Sequence, residues 1–203
     1  MKTCVCLQHV AFEGPGYLHR ILADLGYRID RYVVPTDGLP ISAGDFLLVM
    51  GGPMSVNDSD AWIAAETAFI ESAVEAGTPF LGICLGMQAL FERSEEAPEL
   101  DGFGLFPGTV ERFASDTRVP HMGWNDLTRT KQSRLLTGLP EHPYVYFAHS
   151  YYAPVNCATA ASCTYTLPYT AVLEYENIHG VQFHPEKSGP TGLAIVKNFI
   201  ELC

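Results

Sequence analysis

Long apolar runs are missing from this sequence: no stretch approaches the ~20 apolar residues that a membrane-spanning helix requires, so no membrane association is expected. Met1-Lys2-Thr3-Cys4-Val5-Cys6-Leu7 offers one basic residue and too short an apolar core for a signal peptide. Basic residues are scarce. Twelve Lys+Arg stand against 23 Asp+Glu, a formal net charge of −11. That excess repels nucleic-acid backbone and anionic lipid, so neither is expected as a partner. The six cysteines, at 4, 6, 84, 157, 163 and 203, include no Cys-x-x-Cys pair. A zinc ribbon, a thioredoxin-like site and a disulfide scaffold are therefore not indicated. The seven histidines give no ligand pair at helical or hairpin spacing, so no metal is expected. Neither a P-loop nor Gly-x-Gly-x-x-Gly is present, so no cofactor is expected and any ATP or dinucleotide chemistry lies on another chain. Repeats and linkers are absent too. What remains reads as a reduced, cytoplasmic chain whose residues 1–203 form a single domain.

The first half alternates short apolar runs with helical patterns. Thr3–Leu7, Tyr27–Val34, Phe46–Met50 and Pro79–Ile83 read as buried strands. Leu18, Ile21, Leu22 and Leu25 mark one face of a helix stopped by Gly26. Asn57, Asp58, Ser59 and Asp60 offer N-caps for a helix carrying Trp62, Ala65, Phe69 and Val74, and helix formers continue over Leu85–Arg93. The second half is richer in strand signals: Gly104–Phe113, His121–Leu127, Tyr144–Phe147, Thr170–Tyr175 and Ile178–Phe183, before a final helix over Thr191–Leu202. The sum predicts an α/β fold of three layers: a mostly parallel central sheet flanked by helices, with an antiparallel extension.

Gly82-Ile83-Cys84-Leu85-Gly86 falls where a strand should hand over to a helix, and matches the Gly-x-nucleophile-x-Gly elbow with cysteine in the central place. A helix starting at Leu85 would add its N-terminal dipole, favouring thiolate and a developing oxyanion. Alone, the pattern is equally a small buried cysteine in a strand. Downstream, His184-Pro185-Glu186 follows an apolar strand. In extended chain residues i and i+2 face one side, so Glu186 can orient the His184 imidazole. Gly51-Gly52-Pro53 ends another strand, and its N–H groups, with that of Leu85, could form an oxyanion hole. An ordinary turn is the plainer reading of that tripeptide.

Gly82-Ile83-Cys84-Leu85-Gly86-Met87-Gln88 together with Gly180-Val181-Gln182-Phe183-His184-Pro185-Glu186 resembles the class I glutamine amidotransferases over almost the whole chain. The resemblance implies that Cys84 attacks the side-chain amide of L-glutamine, that His184 protonates the departing ammonia, that Glu186 orients His184, and that Gln88 helps to hold substrate. The second half is similar to the glutaminase subunits of imidazole glycerol phosphate synthase. Leu90-Phe91-Glu92-Arg93-Ser94, Val119-Pro120-His121-Met122-Gly123-Trp124-Asn125, Phe147-Ala148-His149-Ser150-Tyr151-Tyr152 and His184-Pro185-Glu186-Lys187-Ser188-Gly189 carry the similarity. It implies that His149, Ser150 and Tyr151 line the glutamine pocket. It also implies that Pro120, His121, Met122, Gly123, Trp124, Asn125 and Lys187 face a cyclase subunit in a heterodimer. Without that resemblance, Trp124 and His149 read as core residues and Lys187 as a solvated charge.

The first half departs from that pattern. Leu7-Gln8-His9-Val10-Ala11-Phe12-Glu13-Gly14-Pro15-Gly16 and Val49-Met50-Gly51-Gly52-Pro53-Met54-Ser55-Val56-Asn57-Asp58 resemble stand-alone amidotransferases related to the glutaminase domain of GMP synthase. A Gly-Gly-Pro turn predicts a preformed oxyanion hole and appreciable glutaminase activity without partner. The competing readings are a stand-alone amidotransferase, a cysteine peptidase using the same triad, a non-catalytic subunit and, weakest, a metal enzyme.

Overall fold

The structure, a computed structural model, describes residues 2–12, 14–51, 61–99 and 101–203. Its first half comprises β1 (Lys2–Gln8), α1 (Leu18–Asp24), β2 (Tyr27–Val33), α2 (Val34–Asp37), β3 (Phe46–Val49), α3 (Ala61–Glu75), β4 (Phe80–Ile83) and α4 (Leu85–Gln88). There follow β5 (Phe91–Ser94), β6 (Phe106–Arg112), β7 (His121–Asp126), β8 (Thr128–Arg129), β9 (Tyr144–His149) and β10 (Tyr151–Tyr152). The chain closes with β11 (Thr159–Thr164), β12 (Pro168–Tyr175), β13 (Ile178–Val181) and α5 (Gly189–Leu202).

An eight-stranded sheet runs in the order β2-β1-β3-β4-β13-β12-β11-β8. The first five strands are parallel and the last three antiparallel. The period-2 alternation of strands then assigns two cores. Cys4 and Cys6 of β1 pack with Phe46 and Leu48 of β3 against Leu18 and Leu22 of α1 and Ile195, Val196 and Phe199 of α5. Val5 and Leu7 pack with Leu47 and Val49 on the other face, against Ile70 and Ala73 of α3 and Met87 of α4. These are the three layers expected from the patterning. Two smaller sheets run β10-β6-β5 and β7-β9.

Three local expectations change. The helix predicted over Leu85–Arg93 stops at Gln88, and Phe91–Ser94 becomes a strand paired in parallel with β6. Phe91, 1% exposed, packs on Phe106 at a ring separation of 5.9 Å, and that burial overrides the helix propensity of the segment. Val34 leaves its strand to open the one-turn α2, with Pro35 suited to the first helical turn. Thr159–Thr164, whose small polar residues give no strand signal, is a buried strand between β12 and β8. The proposed caps Asn57 to Asp60 lie outside the described residues.

Candidate active site

β4 ends at Ile83 and α4 begins at Leu85, so Cys84 takes the whole turn, with φ 53° and ψ −109°. That region is costly for a residue with a Cβ and persists only where the surroundings enforce it. Here they do. A Cβ at position 82 would collide with the Gly86 carbonyl, and one at 86 with the Val49 carbonyl, so both glycines are needed for the chain to fold back on itself. Cys84 N–H is held by the Val181 carbonyl at 2.8 Å, and its own carbonyl accepts from Met87 and Gln88. The helix behind it is one turn long, less than the dipole argument assumed. The local contribution is the Leu85 and Gly86 N–H groups at its start, which have no intrahelical acceptor.

His184 leaves β13 in extended conformation, and Pro185–Lys187 then form a single 3-10 turn. The turn, rather than a continued strand, brings Glu186 round. Its Oε1 lies 2.8 Å from His184 Nδ1, with the two side chains 15% and 13% exposed. Nδ1 is thereby committed, which leaves Nε2 as the ring nitrogen available to Cys84. Burial disfavours the imidazolium, but Cys84 and Glu186 outweigh it and push the His184 pKa up to about 10. The backbone of His184 is equally fixed. Its N–H donates to the Tyr146 carbonyl at 2.9 Å, and its carbonyl accepts from Ser188 Oγ at 2.7 Å. Ser188 Oγ accepts in turn from Tyr146 N–H at 2.9 Å.

Beside the nucleophile, a cavity of about 190 Å³ is lined by Cys84, Leu85, Gln88, His149, Ser150 and Tyr151, all candidates from the sequence. Pro120 and Met122 also line it, so part of the proposed docking segment borders the pocket itself. Gln88 Nε2 donates to the Tyr151 carbonyl at 2.8 Å and to Gln182 Oε1 at 2.9 Å. Gln182 Nε2 reaches Cys84 Sγ at 3.6 Å. A continuous amide network thus ties pocket wall to thiol.

His149 enters that wall from the core. It is 5% exposed, its Nδ1 bonds the Tyr151 carbonyl at 2.7 Å, and its Nε2 lies 3.2 Å from Tyr169 Oη and 3.3 Å from His121 Nδ1. His121 stacks on Tyr165 at 4.1 Å and is 4% exposed, so its side chain belongs to this core rather than to a docking surface. The alternation of β7 instead turns Met122 and Trp124 outward, 64% and 56% exposed. Gly123 lies between them, and Asn125 is occupied with the Thr164 carbonyl at 3.1 Å. Lys187 is exposed and shares with His184, Glu186 and Gly51 a second cavity of about 240 Å³.

Gly51 sits against the elbow: a Cβ built on it would stand 3.5 Å from Cys84 Cβ and 3.7 Å from Leu85 N. Gly52, the other oxyanion candidate, lies outside the described residues. Sequence reasoning assigned no role to Gln182, Ser188 or Glu96. Gln182 was findable: it shares the strand face of His184 two residues on, and it is the polar residue of an apolar run. Glu96, which also lines the smaller cavity, was hidden behind the helix expected to end at Arg93. Among the described residues no cluster of His, Cys, Asp and Glu could hold a metal ion.

A strained thiol, an imidazolium braced by a carboxylate, and unpaired N–H groups at the same turn can form and break an acyl thioester. Comparisons with known proteins agree in kind. The chain is 42% identical over 171 residues to imidazole glycerol phosphate synthase subunit HisH of Methanothermobacter thermautotrophicus, covering 84% of this chain and 85% of that one. With the same subunit of Methanosarcina barkeri it shares 38% identity over 207 residues and the full length of both. The fold is similar to a glutamine amidotransferase from Thermotoga maritima, with TM-score 0.72, 22% identity, and coverage of 98% of this chain and 81% of that one. Residues 16–202 match the family model for class-I glutamine amidotransferases, and the chain belongs to that family.

Proposed function

We propose that this chain is a glutaminase subunit that hydrolyses L-glutamine and passes the ammonia to a cyclase subunit in the synthesis of imidazole glycerol phosphate. The observation that carries the reading is Cys84 at its strained turn lining a pocket of about 190 Å³, with the His184–Glu186 pair held at 2.8 Å beside it. In that pocket the Cys84 sulfur attacks the side-chain carbonyl carbon of glutamine. The resulting oxyanion meets the Leu85 N–H and the main chain at Gly51. Collapse breaks the C–N bond as His184 gives its proton to the leaving nitrogen, which departs as ammonia. His184, now neutral, takes a proton from water as the hydroxyl adds to the γ-glutamyl thioester. The C–S bond breaks and glutamate leaves. Glu96 is the acidic residue of the pocket lining and suits the α-ammonium of the substrate. Gln88, with both Nε2 protons engaged internally, acts on substrate by holding Tyr151.

The partner reading is supported by the relatives named as subunits of imidazole glycerol phosphate synthase, and by Met122 and Trp124 exposed beside the pocket. Six free thiols suit a reducing, cytoplasmic setting. One sheet drawing strands from both halves supports a single domain over residues 1–203. The test is glutamate release by the purified chain, alone and with a cyclase subunit from the same source plus its nucleotide-type acceptor. Stimulation by orders of magnitude that Cys84→Ala abolishes supports the assignment. Equal release with and without the cyclase overturns the partner and favours a stand-alone amidotransferase. Trp124→Ala should leave release by the isolated chain within about twofold and weaken cyclase binding by ~2 kcal/mol, about 30-fold.

A further inference from the structure

A second carboxylate–imidazole pair lies behind the oxyanion turn. His9, the residue after β1, is 7% exposed, and Glu66 of α3 is 1% exposed. His9 Nε2 lies 3.2 Å from both carboxylate oxygens of Glu66. Trp62, from the same helix, places its ring 5.9 Å from the His9 ring. β1 and β3 run in parallel register, with Leu7 opposite Val49 and Met50 N–H bonded to the Leu7 carbonyl at 3.0 Å. Two residues on, the same register sets His9 beside Gly51, and Gly51 is the residue packed against Cys84 and Leu85. His9 Nδ1 is buried and has no hydrogen-bond partner among the described residues.

We propose that His9 and Glu66 are positioning residues that brace the Gly51 main chain against the Cys84–Leu85 elbow, so that the oxyanion donors are in place before substrate arrives. The proposal rests on the glutaminase reading of Cys84. Burial disfavours a charged His9; Glu66 outweighs it, helped by the main chain at Gly51 and Met50, and the pKa is raised. A buried carboxylate–imidazole pair returns little as a stability device, because desolvation offsets the attraction. What it does supply is a fixed distance. Glu66 anchors the ring to α3, the β1–β3 register sets His9 beside Gly51, and Gly51 packs against the Cys84–Leu85 turn. A donor displaced by about 1 Å loses on the order of 100-fold in rate without loss of ground-state binding.

The experiment compares the full-length wild type with His9→Leu, His9→Gln, Glu66→Leu and Glu66→Gln. It measures kcat and KM for glutamine and the rate at which iodoacetamide alkylates Cys84, a displacement that needs no oxyanion hole. His9→Leu and Glu66→Leu should lower kcat about 10- to 100-fold, with KM and alkylation within about twofold. His9→Gln and Glu66→Gln keep a hydrogen bond across the pair and should recover most of that loss. Unchanged kcat in the leucine variants overturns the positioning role, and so does a loss shared equally by kcat, KM and alkylation, which marks general disorder of the site. The assays are run with the cyclase subunit and its nucleotide-type acceptor present, and a wild type that is alkylated at Cys84 yet releases no glutamate there overturns the glutaminase reading itself, and the positioning role falls with it.

Discussion

His184 is half-buried and His149 buried, and both give Nδ1 to an oxygen: Glu186 Oε1 at 2.8 Å for one, the Tyr151 carbonyl at 2.7 Å for the other. Their charges differ. Burial works against the imidazolium at each site. At His184, Cys84 and Glu186 override it and lift the pKa to about 10. At His149 the Tyr151 carbonyl helps only weakly, His121 and His184 add repulsion, and the pKa drops to about 3. A neutral carbonyl thus fixes where a ring points, whereas an acidic partner also fixes what it carries. In the proposed reaction one ring carries the proton for the leaving ammonia. The other is a neutral strut that sets the carbonyl of Tyr151, and through Gln88 the pocket wall.

Removing the proton donor breaks the comparison most directly. His184→Asn should lower glutamate release by roughly 10²- to 10⁴-fold, the usual range for a positioned general acid. Retained turnover would mean that another group protonates the ammonia. Glu186→Gln is subtler, since it gives His184 a neutral acceptor like that of His149. The ring titration, followed by the imidazole proton resonances, should move well down from about 10, with release falling about 10- to 100-fold. An unmoved midpoint would assign the high value to Cys84 alone.

Stability should report the same opposition. His184 binds its proton more tightly in the fold than in the unfolded chain, where imidazole titrates near about 6.5. Its contribution is whole below that value and is lost as pH rises through about 10. His149 and His121, the latter lowered by burial to about 4, behave in reverse. Their contribution is whole above about 6.5 and is lost as pH falls toward 4 and 3. Urea midpoints plotted against pH should therefore trace a dome, with Glu186→Gln flattening its alkaline side. A flat profile from pH 4 to pH 10 would contradict both assignments.

How much of this was legible in the sequence depends on where the determining interaction sits. The layers were legible because alternation along Cys4 to Leu7 assigns both faces of a strand locally. The Cys84 turn and the His184–Glu186 contact were legible because elbow and His-x-Glu are short patterns. Phe91–Ser94 was not, since its strand state depends on Phe106, fifteen residues away. The charge on a histidine is also non-local. Nothing within five residues of His149 identifies Tyr169 or His121 as its neighbours, so the sequence alone left it open between pocket and core. The structure uses it as both: a core ring whose bonded carbonyl belongs to the pocket wall.

That double placement sets the smallest predicted effect. His149→Asn keeps an amide donor near the Nδ1 position for the Tyr151 carbonyl, but it removes the ring nitrogen facing Tyr169 Oη. Tyr169 is fully buried and would lose one of the two imidazole nitrogens its hydroxyl meets. The cost should appear as ~1–3 kcal/mol of stability, the range for a buried polar group left short of a partner. Because Gln88 still bonds the same carbonyl, kcat/KM should stay within about threefold, under ~1 kcal/mol of transition-state stabilisation. The variant should also soften the acid limb of the stability profile and leave the His184 titration near about 10. A rate loss approaching that of His184→Asn would erase the distinction between strut and acid, and would move His149 into contact with the reacting atoms.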